Sequence, residues 1–181
     1  MNNNLTRFSI SLAALLLAGS TWAKDNVPHA DAAFMKKAAE SGLAEVEASK
    51  VAATKASNTQ VKGFATQMVD DHTKANDELK ALAASKDVKL PAEPGMADKA
   101  KLKLLEGRDG ASFDKHYADG FGVKAHEDTV RLFEKEAKDG KDAEVKAWAE
   151  KTLPTLRHHL EMAKELKAAT DKESKDTAKK P

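Results

Sequence analysis

The sequence contains no cysteine, which excludes a disulfide, a thiolate metal site and lipid attachment at a mature N-terminus. Aromatic residues are scarce, and the five prolines and nine glycines leave long stretches uninterrupted. Neither sign of charge dominates, since 30 Lys and Arg are interleaved with 29 Asp and Glu. Such a surface offers no electrostatic footprint for nucleic acid or for an anionic membrane face. A Gly-rich phosphate loop, a zinc-protease helix motif and a serine or cysteine nucleophile constellation are also missing. Conventional hydrolase and nucleotide chemistry therefore has no foothold, and no catalytic residue is assigned.

What is present is Ala, Leu, Lys and Glu in abundance over 181 residues, which predicts one all-α domain. The first residues stand apart from it. Arg7 precedes an apolar run from Ile10 to Ala18, followed by Gly19-Ser20-Thr21-Trp22-Ala23 with small residues at Thr21 and Ala23. This reads as a secretory signal over residues 1–23, because the run is too short to span a bilayer. Cleavage after Ala23 and export to the periplasm or beyond are expected. Only Arg7 is lost with that segment, leaving 29 basic against 29 acidic residues.

Punctuation divides residues 24–169 into four long helices, expected at about Ala30–Lys55, Thr59–Lys86, Phe113–Lys138 and Ala143–Ala169. Ser57-Asn58-Thr59-Gln60 matches a capping box and predicts a tight turn between the first two helices. Asp139-Gly140-Lys141-Asp142 predicts another between the last two, with Asp142 as the cap. The long connection from Asp87 to Ser112 is broken by Pro91, Pro94 and Gly95 and holds a short helix near Ala97–Leu105. Two hairpins joined by one long crossover have the connectivity of a ferritin-like antiparallel four-helix bundle. Residues 170–181 lack apolar periodicity and are expected to form a disordered charged tail.

Turning each helix by about 100° per residue assigns its faces. Glu45 shares the inward stripe of the first helix with Phe34, Ala38 and Ala52, whereas Glu40 and Glu47 point away. His72 lies with Val61, Ala65 and Leu79, and Asp70 and Asp71 point elsewhere. His159 lies with Leu156, Ala163 and Leu166, leaving His158 on another face. The third helix carries two stripes: His126 aligns with Val130 and Phe133, but Phe113, Tyr117 and Phe121 lie nearly opposite. A kink or π-bulge at Gly120 and Gly122 is expected to reconcile them, the alternative being that the aromatics pack under the crossover segment. Pro154 predicts a bend shortly before His159. Counted from the hairpin turns, Glu45, His72, His126 and His159 reach a similar depth, so one layer could hold all four. His29, His116 and His158 are expected in solvent.

Ala38-Ala39-Glu40-Ser41-Gly42-Leu43-Ala44-Glu45-Val46-Glu47 and Val61-Lys62-Gly63-Phe64-Ala65-Thr66-Gln67-Met68-Val69-Asp70-Asp71-His72 resemble an exported bacterial domain family of unknown function. Its members are described as ferritin-like and are often labelled outer-membrane proteins. Phe113-Asp114-Lys115-His116-Tyr117, the stretch Gly122-Val123-Lys124-Ala125-His126 and the block Thr152 to Leu160 extend the likeness in the same order, over about residues 30 to 166. The resemblance implies a four-helix ferritin-like fold, export and recurring histidines at His72, His126 and His159, but no activity. Nothing supports an outer-membrane barrel, because no alternating lipid-facing strands can be read.

Di-iron bundles take a Glu from each of two helices and Glu-x-x-His from the other two. Here Val69 and Leu156 stand where those motif carboxylates would be, which argues against a dinuclear centre. A single transition-metal ion held by Glu45, His72, His126 and His159 fits the donor set, with zinc, iron, manganese, nickel and copper all candidates. Met68 and Met162 lie about one turn from His72 and His159, where thioethers would favour copper, but core methionines are more often filler. A metal-free Glu-His hydrogen-bond network satisfies the same residues equally well. The functional expectations are accordingly a metal-binding bundle in metal handling or oxidative and envelope stress, a non-catalytic envelope interaction protein with a structural cluster, and a redox enzyme with an open metal position.

Overall fold

The computed structural model describes residues 27–178. The expected signal, residues 1–23, and the last three residues lie outside the described residues. The chain forms α1 (His29–Lys55), α2 (Thr59–Ser85), α3 (Met96–Glu106), α4 (Gly110–Tyr117), a π segment (Ala118–Lys124), α5 (Ala125–Asp139) and α6 (Ala143–Ala178). No strand is found among the described residues. α4, the π segment and α5 run without a break, so they make up one long helix. The long rods are α1, α2, this composite helix and α6, packed as a helical bundle, and the crossover between α2 and α4 carries α3. Among the described residues, no helix is long and apolar enough to cross a membrane.

The two hairpin turns are locked alike. Asn58 caps α2, its side chain accepting from the Gln60 amide at 2.7 Å and the Val61 amide at 3.4 Å. The cap is thus one residue later than the expected box, because Ser57 is engaged elsewhere. Its amide donates to Asp114 at 3.1 Å, its hydroxyl donates to the same carboxylate, and the Asn58 amide adds a bond at 2.9 Å. At the other turn Asp142 caps α6, accepting from the Glu144 and Val145 amides at 3.0 and 3.1 Å, as its position predicts. There the buried Asp31 of α1 accepts from the Lys141 amide at 2.9 Å and from the Asp142 amide. Each turn is therefore held by a buried aspartate near the N-terminal end of a helix in the opposite hairpin, Asp114 at one and Asp31 at the other, satisfying amides that would otherwise be stranded.

α6 runs unbroken through Pro154 and continues to Ala178, nine residues beyond the expected end. The extension has partners that local periodicity does not reveal. Thr170 is buried, Asp171 pairs with Lys115 at 3.1 Å and Lys167 at 2.7 Å, and Asn58 donates to Glu173 at 2.7 Å.

The core consists of two apolar clusters stacked along the bundle. One holds Ala48, Phe64, Met68, Phe113, Tyr117, Phe121, Ala163 and Leu166. The other holds Phe34, Ala38, Leu79, Val130, Phe133, Trp148 and Leu156. On every long helix the chain passes from one cluster to the other through a polar residue: Glu45 on α1, His72 on α2, His126 on α5 and His159 on α6. The mid-bundle layer read from the hairpin turns is this seam.

Candidate metal centre

The π segment makes the centre possible. A continuous α-helix cannot bury both Phe113, Tyr117 and Phe121 and the stripe of His126, Val130 and Phe133, yet all six are buried. The π turn from Ala118 to Lys124 inserts the register shift that the two glycines and the reversed stripe predict. Gly122 serves a second purpose, since a Cβ there would meet Ala163 Cβ at 3.2 Å. Its absence lets α6 approach closely and brings His159 up to His126.

His72, His126 and His159 converge, one ring nitrogen from each lying within 4.8 Å of the others. Their ring centroids are 5.4 to 5.5 Å apart. His72 Nε2 and His126 Nε2 are 3.3 Å apart. That separation is close to the roughly 3.4 Å edge of a tetrahedron built on zinc–nitrogen bonds of about 2.0–2.1 Å.

Hydrogen bonds fix which nitrogens are available. His126 Nδ1 lies 2.8 Å from the Gly122 carbonyl and 3.2 Å from that of Phe121. Carbonyls only accept, so Nδ1 carries the proton and Nε2 presents its lone pair to the cluster. His159 Nε2 donates to Asp71 at 2.9 Å, which leaves Nδ1 unprotonated, and that nitrogen is buried with no hydrogen-bond partner. Each ring is thus oriented from outside, by a backbone carbonyl for His126 and by a carboxylate for His159, in the manner of the outer partners of metal-bound histidines.

All three imidazoles are held in the neutral, ligating form. Burial pushes the His72 pKa well below its ordinary value, and His126 and His159 add to the effect. Burial likewise lowers His126 to about 4, with His159 contributing and the two carbonyl bonds opposing. Burial lowers His159 as well, against the pull of Asp71.

Glu45, the fourth expected ligand, does not join them. It is buried in the same layer but faces a separate cavity shared with α3 and the π segment, together with Asp98, Lys101 and Phe121. Facing inward on α1 is not the same as reaching the point where the three histidines of α2, α5 and α6 meet. Burial raises its pKa well above the ordinary carboxylate value, Asp98 raises it further and Lys101 opposes. Asp71, in contrast, was expected to point away, yet it reaches across to α6. Its place beside His72 was visible in the sequence, but its contact across the helix interface was not.

The other expectations about single residues can be placed as well. His29, His116 and His158 are exposed. Met68 is fully buried in the apolar cluster and Met162 packs against it, so both have the surroundings of core filler.

These features define a class: a helical bundle with a buried, metal-capable cluster of three histidines on three helices. The chain belongs to the family described as a domain of unknown function (DUF4142), whose model matches residues 17–166. This is the unknown-function family that the sequence blocks resemble. No curated protein and no solved structure matches the chain.

Proposed function

We propose that this protein binds a single transition-metal ion through His72, His126 and His159, with Asp71 orienting His159 from outside the coordination shell. The observation that carries the reading is the buried, partnerless Nδ1 of His159, set among two other neutral imidazoles. A buried lone pair without a donor costs about 1–3 kcal/mol, and a metal ion would remove that cost. With Glu45 elsewhere, the donors are neutral nitrogens alone, which suits zinc, copper, iron or nickel better than the oxygen-preferring manganese. The ion would supply Lewis acidity, and a three-histidine set leaves a fourth position for water or another ligand. Two helical hairpins joined by one long crossover, together with the signal-like N-terminus of the sequence, support a role in an exported protein that handles metal or answers oxidative or envelope stress.

The test is elemental analysis of mature, untagged protein from the periplasm beside a His72→Ala/His126→Ala/His159→Ala variant. Near-stoichiometric metal in the wild type and none in the variant is the expected result. Wild-type protein that is metal-free and resists loading would sink the proposal. The 3.3 Å contact between His72 and His126 favours a second reading, a structural hydrogen-bond network in a non-catalytic envelope protein. That reading requires stability to be unchanged by exhaustive chelation.

A further inference from the structure

Glu45 lines a cavity of about 170 Å³ enclosed by α1, α3 and the helix that runs from the π segment into α5. The residue is 3 % exposed, and its Oε2 is buried without a hydrogen-bond partner. An unpaired carboxylate in such a place is costly, which makes the surrounding charges decisive.

Those charges are committed elsewhere. Lys101 pairs with Asp98 at 3.2 Å, Lys37 with Glu40 at 3.3 Å, and Asp128 with Arg131. Once the pairs are matched, Glu45 is the one carboxylate at the cavity left without a counter-ion. Among the described residues the one group of three side chains placed to hold a metal ion is the histidine cluster, and Glu45 is not part of it. The rest of the wall includes Ala44, Ala97, Phe121 and Ala125, which would accept an alkyl body.

We propose that this cavity binds a small monovalent organic cation, a protonated primary amine, whose ammonium group pairs with the Glu45 carboxylate while its carbon chain lies against Ala44 and Phe121. The single unmatched charge selects a monocation, and the cavity's size limits the chain to a few carbons. The site is separate from the histidine cluster and does not depend on metal being bound there.

The experiment is an amide NMR titration of metal-free protein with n-butylammonium, using 1-butanol and butyrate as neutral and anionic counterparts. Saturable shifts at Ala44, Phe121 and Ala125 are expected for the cation. Glu45→Gln, which keeps the shape and removes the charge, should weaken binding about tenfold or more, as expected for a charge-assisted hydrogen bond. Ala44→Leu, which fills the cavity and keeps Glu45, should abolish it, with circular dichroism confirming that both variants retain their helices. No saturable shift with the cation, equal affinity for 1-butanol, or undiminished binding by folded Glu45→Gln would each overturn the proposal. Because the titration is metal-free, its failure leaves the histidine reading untouched.

Discussion

Glu45 and the three histidines occupy one polar layer, between the same two apolar clusters, yet they are buried on different terms. The histidines can give up their charge at neutral pH, and carbonyls or a carboxylate take up the protons of His126 and His159. The bare Nε2 of His126 then meets His72 Nε2 at 3.3 Å, where His72 donates in the absence of a metal ion. A carboxyl group must instead find a cation or keep a proton, toward which burial drives Glu45, and its Oε2 has no partner. One side of the layer is therefore a set of neutral imidazoles that a metal would complete, and the other is a single acidic group whose Oε2 has no partner. The π segment divides them, its Gly120 and Phe121 lining the Glu45 cavity while the Phe121 and Gly122 carbonyls hold His126.

Breaking that divider should have the largest effect. Deleting Gly120 would restore an α-helical register and rotate everything after it by about 100° relative to Tyr117. Either the aromatic stripe or the His126 stripe must then leave the core, at a cost of about 4 kcal/mol or more. Chemical denaturation should show it, together with loss of metal binding. A deletion variant with wild-type stability would mean that the π turn is dispensable.

Metal should separate the two sides next. At a free concentration about 100 times its Kd, an ion stabilises the native state by about 2.7 kcal/mol. For a domain of this size that corresponds to a rise in Tm of roughly 5–10 °C. The increment should persist in Glu45→Gln and vanish in His126→Ala. An increment that depended on Glu45 would return that residue to the metal site.

Acid should move the two sides in opposite directions. The folded-state pKa of each histidine is lowered, so their neutral form favours folding above about pH 6.5, and that contribution is lost as pH falls. For His126 the loss runs from there down to about 4. Glu45 has a raised folded pKa, so its penalty is present above that value and fades as pH falls through it. Asp98 and Lys101, which face it from α3, act on it in opposite senses, and Tyr117 is the aromatic neighbour whose ionisation burial suppresses, with Glu45 adding to the effect. Glu45→Gln should therefore stabilise metal-free protein by about 1–3 kcal/mol at pH 8 and steepen the loss of stability on acidification. Urea denaturation across pH 4–8 checks both signs, and a variant less stable than wild type at pH 8 would contradict the unmet charge.

How much of this could be read from sequence depended on whether the information was local. The helix spans follow from caps, glycines and apolar spacing, and the π turn from two stripes that one α-helix cannot bury together. The cap at Asn58 is one residue off because Asp114, far along the chain, claims Ser57. The helical continuation past Ala169 rests on Lys115 and Asn58, which no local pattern announces. Glu45 shows the same limit: azimuth and depth placed it correctly inward and mid-bundle, but not beside the right neighbours.

Asp71 offers the finest test of the comparison, because among the described residues it is the carboxylate that bonds to the histidine cluster. Its side chain is 38 % exposed, so it remains hydrated where Glu45 does not, and it still bonds His159 Nε2 at 2.9 Å. If its role is to hold the His159 ring and keep Nδ1 as the bare nitrogen, Asp71→Ala should weaken metal affinity by about 10- to 100-fold while leaving stoichiometry near one. Asp71→Asn retains an acceptor but not the charge, so its affinity should fall between those of wild type and Asp71→Ala. Competition with a chromophoric chelator reads both, and far-UV circular dichroism should not move, since a single part-buried side-chain bond contributes little to helix content. If Asp71→Ala binds as wild type does, His159 is oriented by packing alone, and the contrast with Glu45 reduces to burial rather than to how each side supplies its partners.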